Sequence, residues 1–259
     1  MLRLPFVAAL LIAALGPGCQ PVAAPAATPD AASARPVDAA TPPIAAATRA
    51  TAPATSAVGA TAPSAERLIE AARRGDLGSV RLALAAGASV TAADSSGQTA
   101  LIAAAYGAHV AVAEALIAAG ADVNAKDSTQ QSAYLIPTAN GGLDLLRLTL
   151  RSGADVHSLD SYNGTGLIRA ADRGLVDIVQ ELLRTPIRVD HVNRLGWTAL
   201  LEAIMLGGGG ERHTEVVRLL VAAGANVNLA DREGVSPLAH ARRHGYRDMI
   251  RILEAAGAR

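Results

Sequence analysis

Glycine recurs at a fixed interval along most of this chain, and that interval restricts the folds open to it. Gly87, Gly120 and Gly153 follow one another at steps of 33 residues, and Gly224 and Gly257 are again 33 apart. A period of that length describes one supersecondary unit stacked repeatedly, each copy burying its apolar face against the next. The clearest copy runs from Asp94 to Lys126. In it Thr99 stands just before an alanine-rich run, where a hydroxyl can cap a helix N-terminus. Gly120 closes a second apolar run, where a left-handed turn can end a helix.

Six copies can be laid over this template: 65–93, 94–126, 127–159, 160–192, 193–230 and 231–259. The first lacks the opening aspartate and carries Glu66, Arg67, Arg73 and Arg74, as an exposed terminal unit should. The third has Gln130 at the turn glycine and Pro137 inside its first helix, where a proline is expected to kink the chain. The fourth has Pro186 in place of its helix-ending glycine. The fifth is five residues too long by this count, with the excess in Gly207–Arg212 between its helices. The sixth ends without starting another turn.

Thr-Ala-Leu at Thr99–Leu101, Ala104-Ala105, Leu116, Gly120-Ala121 and Val123-Asn124 resemble the ankyrin-repeat pattern, and Ser236-Pro237-Leu238 resembles its Thr-Pro-Leu element. The resemblance implies a mainly α solenoid of about six helix-turn-helix repeats with short β-hairpin fingers, covering residues 65–259. It also implies a non-catalytic module that binds a protein partner through its finger tips and concave face. Counted from each opening Asp or Asn, the exposed places hold Tyr106 in the second repeat and Tyr162, Asp172 and Arg173 in the fourth. They hold Arg194, Leu195 and Trp197 in the fifth, and Arg232 in the sixth. Arg169 and Glu202 lie three places before Asp172 and Met205 on their helices and are expected to line the floor between them. Aromatics are 2% of the chain, yet its only Trp and two of its four Tyr fall on this surface. Tyr, Trp and Arg are the side chains that dominate interface hot spots.

Signals for chemistry are weak by comparison. Gly207–Gly210 lacks the Gly-Lys-Ser/Thr of a phosphate loop and reads as a flexible inserted loop. His240 and His244 have a zinc-compatible spacing without a third ligand, and read as a polar helix face. His109 and His213 follow inner helices, where the resemblance implies a loop-bracing role. No catalytic sequence motif is recognisable, and no cofactor or metal is expected. With 23 basic and 23 acidic residues the chain has no basic footprint for nucleic acid. A small-ligand or envelope-polymer binder is the alternative reading, and an enzyme with a non-local site ranks last.

The N-terminus has a different character. Arg3 precedes an apolar run from Phe6 to Leu15, then Gly16, Pro17, Gly18 and the lone Cys19. This is an export-signal layout over residues 1–19, too short to span a bilayer. Gly18-Cys19 resembles the lipobox of bacterial lipoproteins, although Gly16 stands where a leucine is usual. The resemblance implies acylation of Cys19, export to the periplasm and attachment to the outer membrane, with ordinary signal cleavage nearby as the alternative. Residues 20–64 are rich in Ala, Pro and Thr, with few charges and no apolar period. Such a segment cannot bury enough surface to order itself and reads as a disordered tether.

Overall fold

The computed structural model describes residues 61–259. The signal segment, Cys19 and most of the expected tether therefore lie outside the described residues. Twelve helices form six antiparallel pairs: α1 (Thr61–Arg73) with α2 (Leu77–Ala85), α3 (Ala100–Tyr106) with α4 (Val110–Ala118), α5 (Leu135–Asn140) with α6 (Leu143–Arg151), α7 (Gly166–Asp172) with α8 (Val176–Leu183), α9 (Ala199–Leu206) with α10 (Glu211–Ala222), and α11 (Pro237–His244) with α12 (Arg247–Ala255). The first helix opens at Thr61, four residues ahead of the Ala65 expected from the repeat pattern.

Four of the inner helices start at a hydroxyl. Thr99, Thr165, Thr198 and Ser236 accept the amides of Ile102, Ile168, Leu201 and Ala239 at 3.2–3.4 Å. The cap satisfies one of the four amides that a helix start leaves without a partner. Within the stack the inner helices are deeply buried; Ala100–Ala105 of α3 are all buried. Small side chains on that helix let its neighbours approach closely. Outer helices bury one face only, such as Val112, Ala113 and Leu116 in α4.

Every finger closes in the same way. The side-chain oxygen of its opening residue accepts the amides two and four residues on, in Asp94, Asp127, Asp160, Asn193 and Asp231 alike. The opening amide in turn donates to the carbonyl four residues ahead. Backbone pairing is slight: among the described residues one isolated bridge, Ala93 to Thr99, replaces the β-hairpins expected. Adjacent fingers are tied through Ser128 N to Ser96 O and Arg194 N to Tyr162 O, both 2.9 Å.

Pro137 is the third residue of α5 and has no amide to donate there. Ser132 still caps Leu135 N at 3.1 Å, and the result is a six-residue helix. Gln130 and Asn163 occupy the glycine place of their turns at φ of 63° and 61°, so the left-handed turn survives without glycine. Thr185, its hydroxyl donating to Leu182 O at 2.6 Å, follows the end of α8, where Pro186 excludes the usual glycine turn.

The inserted residues of the fifth repeat also differ from expectation. Part of the excess lengthens α10 to 12 residues, against 9 for α4, α6 and α12. Two of the glycines in the remaining loop lie close against neighbouring rings. A β-carbon at Gly209 would come within 2.4 Å of the Tyr246 ring, and one at Gly207 within 2.4 Å of His213. His109 and His213 brace loops as expected, with Nε2 at 3.1 Å from Arg73 O and 2.9 Å from Asp172 O in the preceding units.

The buried core divides inside the third repeat. Ala133, Ile136, Leu145 and Leu148 pack with the first two repeats, whereas Tyr134, Leu135 and Leu146 pack with the last three. In a stack where each unit touches only its neighbours, this repeat carries the whole connection between the halves.

Candidate functional site

The finger tips change character along the stack. Fingers two and three present Ser95, Ser96, Gln98, Ser128, Thr129 and Gln131, all uncharged. Fingers four to six present Tyr162, Arg194, Leu195 and Arg232. Tyr162 is 61% exposed and Leu195 49%, high values for large apolar side chains. Single exposed apolar residues are ordinary on a protein surface, but two on adjoining finger tips next to cations form a patch. The patch is held in place. Arg194 N is bonded to Tyr162 O, and the stem of Arg232 lies against the fifth finger: a β-carbon at Gly196 would sit 2.4 Å from Arg232 Cγ. Gly196 also has φ of 86°, so both the turn and the arginine require glycine there.

Trp197 is half-buried instead of fully presented. Its backbone closes the finger, with N donating to Asn193 Oδ1 at 3.0 Å and O accepting from Asn193 N. Tyr106 is half-exposed but engaged, its hydroxyl donating to Asp127 Oδ2 of the next finger at 3.1 Å. Asp172 and Arg173 pair with each other through Nε at 3.2 Å. The structure therefore brings Tyr162, Arg194, Leu195, Trp197 and Arg232 into three successive fingers. Tyr106 stands apart, two repeats away from Tyr162.

Glu202 departs most from expectation. Placed on an accessible floor by the sequence, it is 4% exposed, so it cannot act as a surface contact. Its Oε1 accepts from Asn193 Nδ2 at 2.7 Å. Because Asn193 Oδ1 is committed to the amides of Leu195 and Trp197, only its NH₂ is left for Glu202. Burial and the nearby Asp172 charge push the Glu202 carboxyl up to about 7, against the Asn193 bond, with Asp160 adding to the rise.

This contact belongs to a series that sequence reasoning missed. In the fourth, fifth and sixth repeats the residue nine places after the finger opening turns back to bond with it. The pairs are Arg169 with Asp160 at 3.1 Å, Glu202 with Asn193 at 2.7 Å, and His240 with Asp231 at 2.6 Å. The opening residue is Asp where the helix supplies a cation or an imidazole, and Asn where it supplies an acid. The Asp-to-Asn change at 193 was the available signal. His240 is thus buried and bonded, not part of a polar helix face, and His244 is stacked on Tyr246 with ring centroids 5.2 Å apart. Burial raises the Asp231 carboxyl, but bonds from His240 and from Val235 N outweigh it and hold the group below its usual range. Among the described residues no three His, Cys, Asp or Glu side chains converge as a metal site would need.

Comparison with known proteins agrees with this geometry. The family model for ankyrin repeats matches residues 64–127, 133–230 and 167–259. The ankyrin repeat protein YahD of Escherichia coli (strain K12) is 46% identical over 66 residues, 26% of this chain and 33% of that protein. The match thus spans about a third of that relative's length. An ankyrin repeat domain from Acinetobacter baumannii AYE superposes with a TM-score of 0.72 at 48% identity, over 74% of this chain and 98% of that one. The ankyrin repeat protein EF0377 gives 0.71 at 32% identity, covering 75% of this chain and 98% of its own. The ankyrin repeat domain of Bcl-3, a member of the IkappaB family, gives 0.67 at 27%, covering 74% and 86%. With its helix pairs, capped inner helices and side-chain-closed fingers, the chain belongs to the ankyrin-repeat family.

Proposed function

We propose that this chain is a non-catalytic docking module, exported and held on the outer membrane by a lipid on Cys19. It captures a protein partner through the fingers and concave face of its last three repeats. Ankyrin repeats serve generally as protein–protein interaction modules, which is the background for this reading. The observation that carries it is the patch of Tyr162, Leu195, Arg194 and Arg232 on otherwise bland finger tips. Large side chains that combine apolar contact with a polar end are the usual anchors of such interfaces. Export rests on the sequence of residues 1–19 alone.

Capture from envelope extract, read by mass spectrometry, tests the docking claim. Wild-type chain is expected to retain a specific protein, and the Arg194→Ala/Leu195→Ala chain to lose it with an unchanged unfolding midpoint. Retention of the same protein by both chains would remove the fingers from the interface. Recovery of a glycan fragment in place of a protein would favour the polymer-binding alternative. Localisation is tested separately: Cys19→Ala is expected to shift the protein from the membrane to the soluble periplasmic fraction. An unchanged distribution refutes the lipid tether.

A further inference from the structure

We propose that the finger tips of the fourth to sixth repeats are built for an extended, acidic segment of the partner. An apolar side chain of that segment seats against Tyr162, Leu195 and Trp197, and its flanking carboxylates pair with Arg194 and Arg232. This rests on the reading of the chain as a protein-docking module and specifies the chemistry of what it docks.

Charge complementarity supports it. Arg194 and Arg232 are exposed, and neither has a carboxylate within ion-pair distance among the described residues. The acids nearest in the fold are already committed. Asp160 holds Arg169, Asp172 holds Arg173, and Asp231 holds His240. Glu202 lies below the surface. Glu233 follows Arg232 on the sixth finger and marks the far edge of the basic strip. The two free guanidiniums stand on successive fingers, with exposed Tyr162 and Leu195 beside the first. A guanidinium presents a planar fork that matches a carboxylate with two parallel hydrogen bonds.

The second support is that the strip is fixed before any partner arrives. Side-chain oxygens close all three fingers, a backbone bond joins the fourth to the fifth, and the Arg232 stem packs on Gly196. Little ordering is then needed on binding, and preorganised contacts lose less to entropy. The tips of fingers two and three present no arginine or lysine, so the acidic segment has one register on the stack. Exposed ion pairs are individually weak and screened by salt, which makes the binding modest and salt-sensitive.

The test uses the full-length chain and a short fluorescein-labelled peptide of aspartate–leucine–aspartate triplets separated by glycine. Its counterparts are the same peptide with lysine for aspartate, the same peptide with serine for leucine, and a single-stranded DNA of matched negative charge. Anisotropy is expected to show binding of the aspartate–leucine peptide only. Arg194→Glu and Arg232→Glu should each weaken it by roughly tenfold, through loss of attraction and added repulsion. Ser128→Glu, on the third finger, should leave it unchanged. Equal or tighter binding of the lysine peptide overturns the proposal, as do unaffected Arg194→Glu and Arg232→Glu chains. Tighter binding of the DNA, or equal binding of the serine peptide, would make the strip a general anion surface and likewise overturn it. Thermal unfolding of each variant confirms that the fold is intact. If these peptides fail while envelope capture still depends on Arg194 and Leu195, docking stands and only the partner chemistry falls.

Discussion

Replacing Tyr134 with alanine is expected to destabilise the protein by about 3–5 kcal/mol, the range for truncating a buried aromatic side chain. Tyr134 is fully buried and occupies the place that Leu101, Leu167, Leu200 and Leu238 hold in other repeats. Its extra bulk is accommodated by a change one repeat later. Gly166 begins α7 where the equivalent residues are Ala100, Ala199 and Pro237, and a β-carbon there would lie 2.9 Å from the Tyr134 hydroxyl and 2.9 Å from Thr138 Cγ2. The phenolic oxygen reaches Val156 O at 3.3 Å, and burial raises the phenol above its ordinary range. Gly166→Ala is therefore expected to cost about 1–3 kcal/mol by over-packing. In a Tyr134→Leu background the same change should cost less, since only the Thr138 Cγ2 contact then remains. Denaturant unfolding of the four proteins closes a double-mutant cycle. An equal Gly166→Ala cost in both backgrounds would show that the two residues do not constrain each other.

Glu202→Gln is expected to stabilise the protein by about 2–3 kcal/mol at pH 8 while changing little at pH 5. The folded carboxyl, at about 7, sits above its ordinary 4.5. Between those values the folded state holds a proton that the unfolded state has released. The stabilisation from that proton is complete below the unfolded value and is lost as pH rises through the folded one. Glutamine cannot ionise, yet its carbonyl still accepts from Asn193 Nδ2, so the finger anchor persists. Asp94, Asp127 and Asp231 shift downward and act in the opposite sense, losing stability only as pH falls below the ordinary carboxylate range. The Glu202 effect therefore occupies its own window, between 4.5 and about 7. Unfolding midpoints measured at both pH values for wild type and Glu202→Gln check it. Parallel pH profiles for the two proteins would rule out a buried, protonated Glu202.

Much of this was legible in the chain. Threonine and serine caps, alanine-rich inner runs and opening aspartates are local signals, each acting within a few residues through backbone hydrogen bonds. They placed the helix pairs and put Tyr162, Arg194, Leu195 and Arg232 on finger tips. The misreadings concern fit between units. Glu202 was judged by its place on a helix, but its exposure depends on Asn193 and on the acids of the preceding repeat.

The 33-residue period and its caps determined by themselves that this chain forms a solenoid of paired helices, because such signals are read one turn at a time. Only the tertiary structure decided which side chains that solenoid hides. Tyr134 against Gly166, Asn193 against Glu202 and Arg232 against Gly196 are contacts between residues that local pattern treats separately. Their outcome is set by volume and charge in the space between neighbouring elements, which exists only once the repeats have stacked.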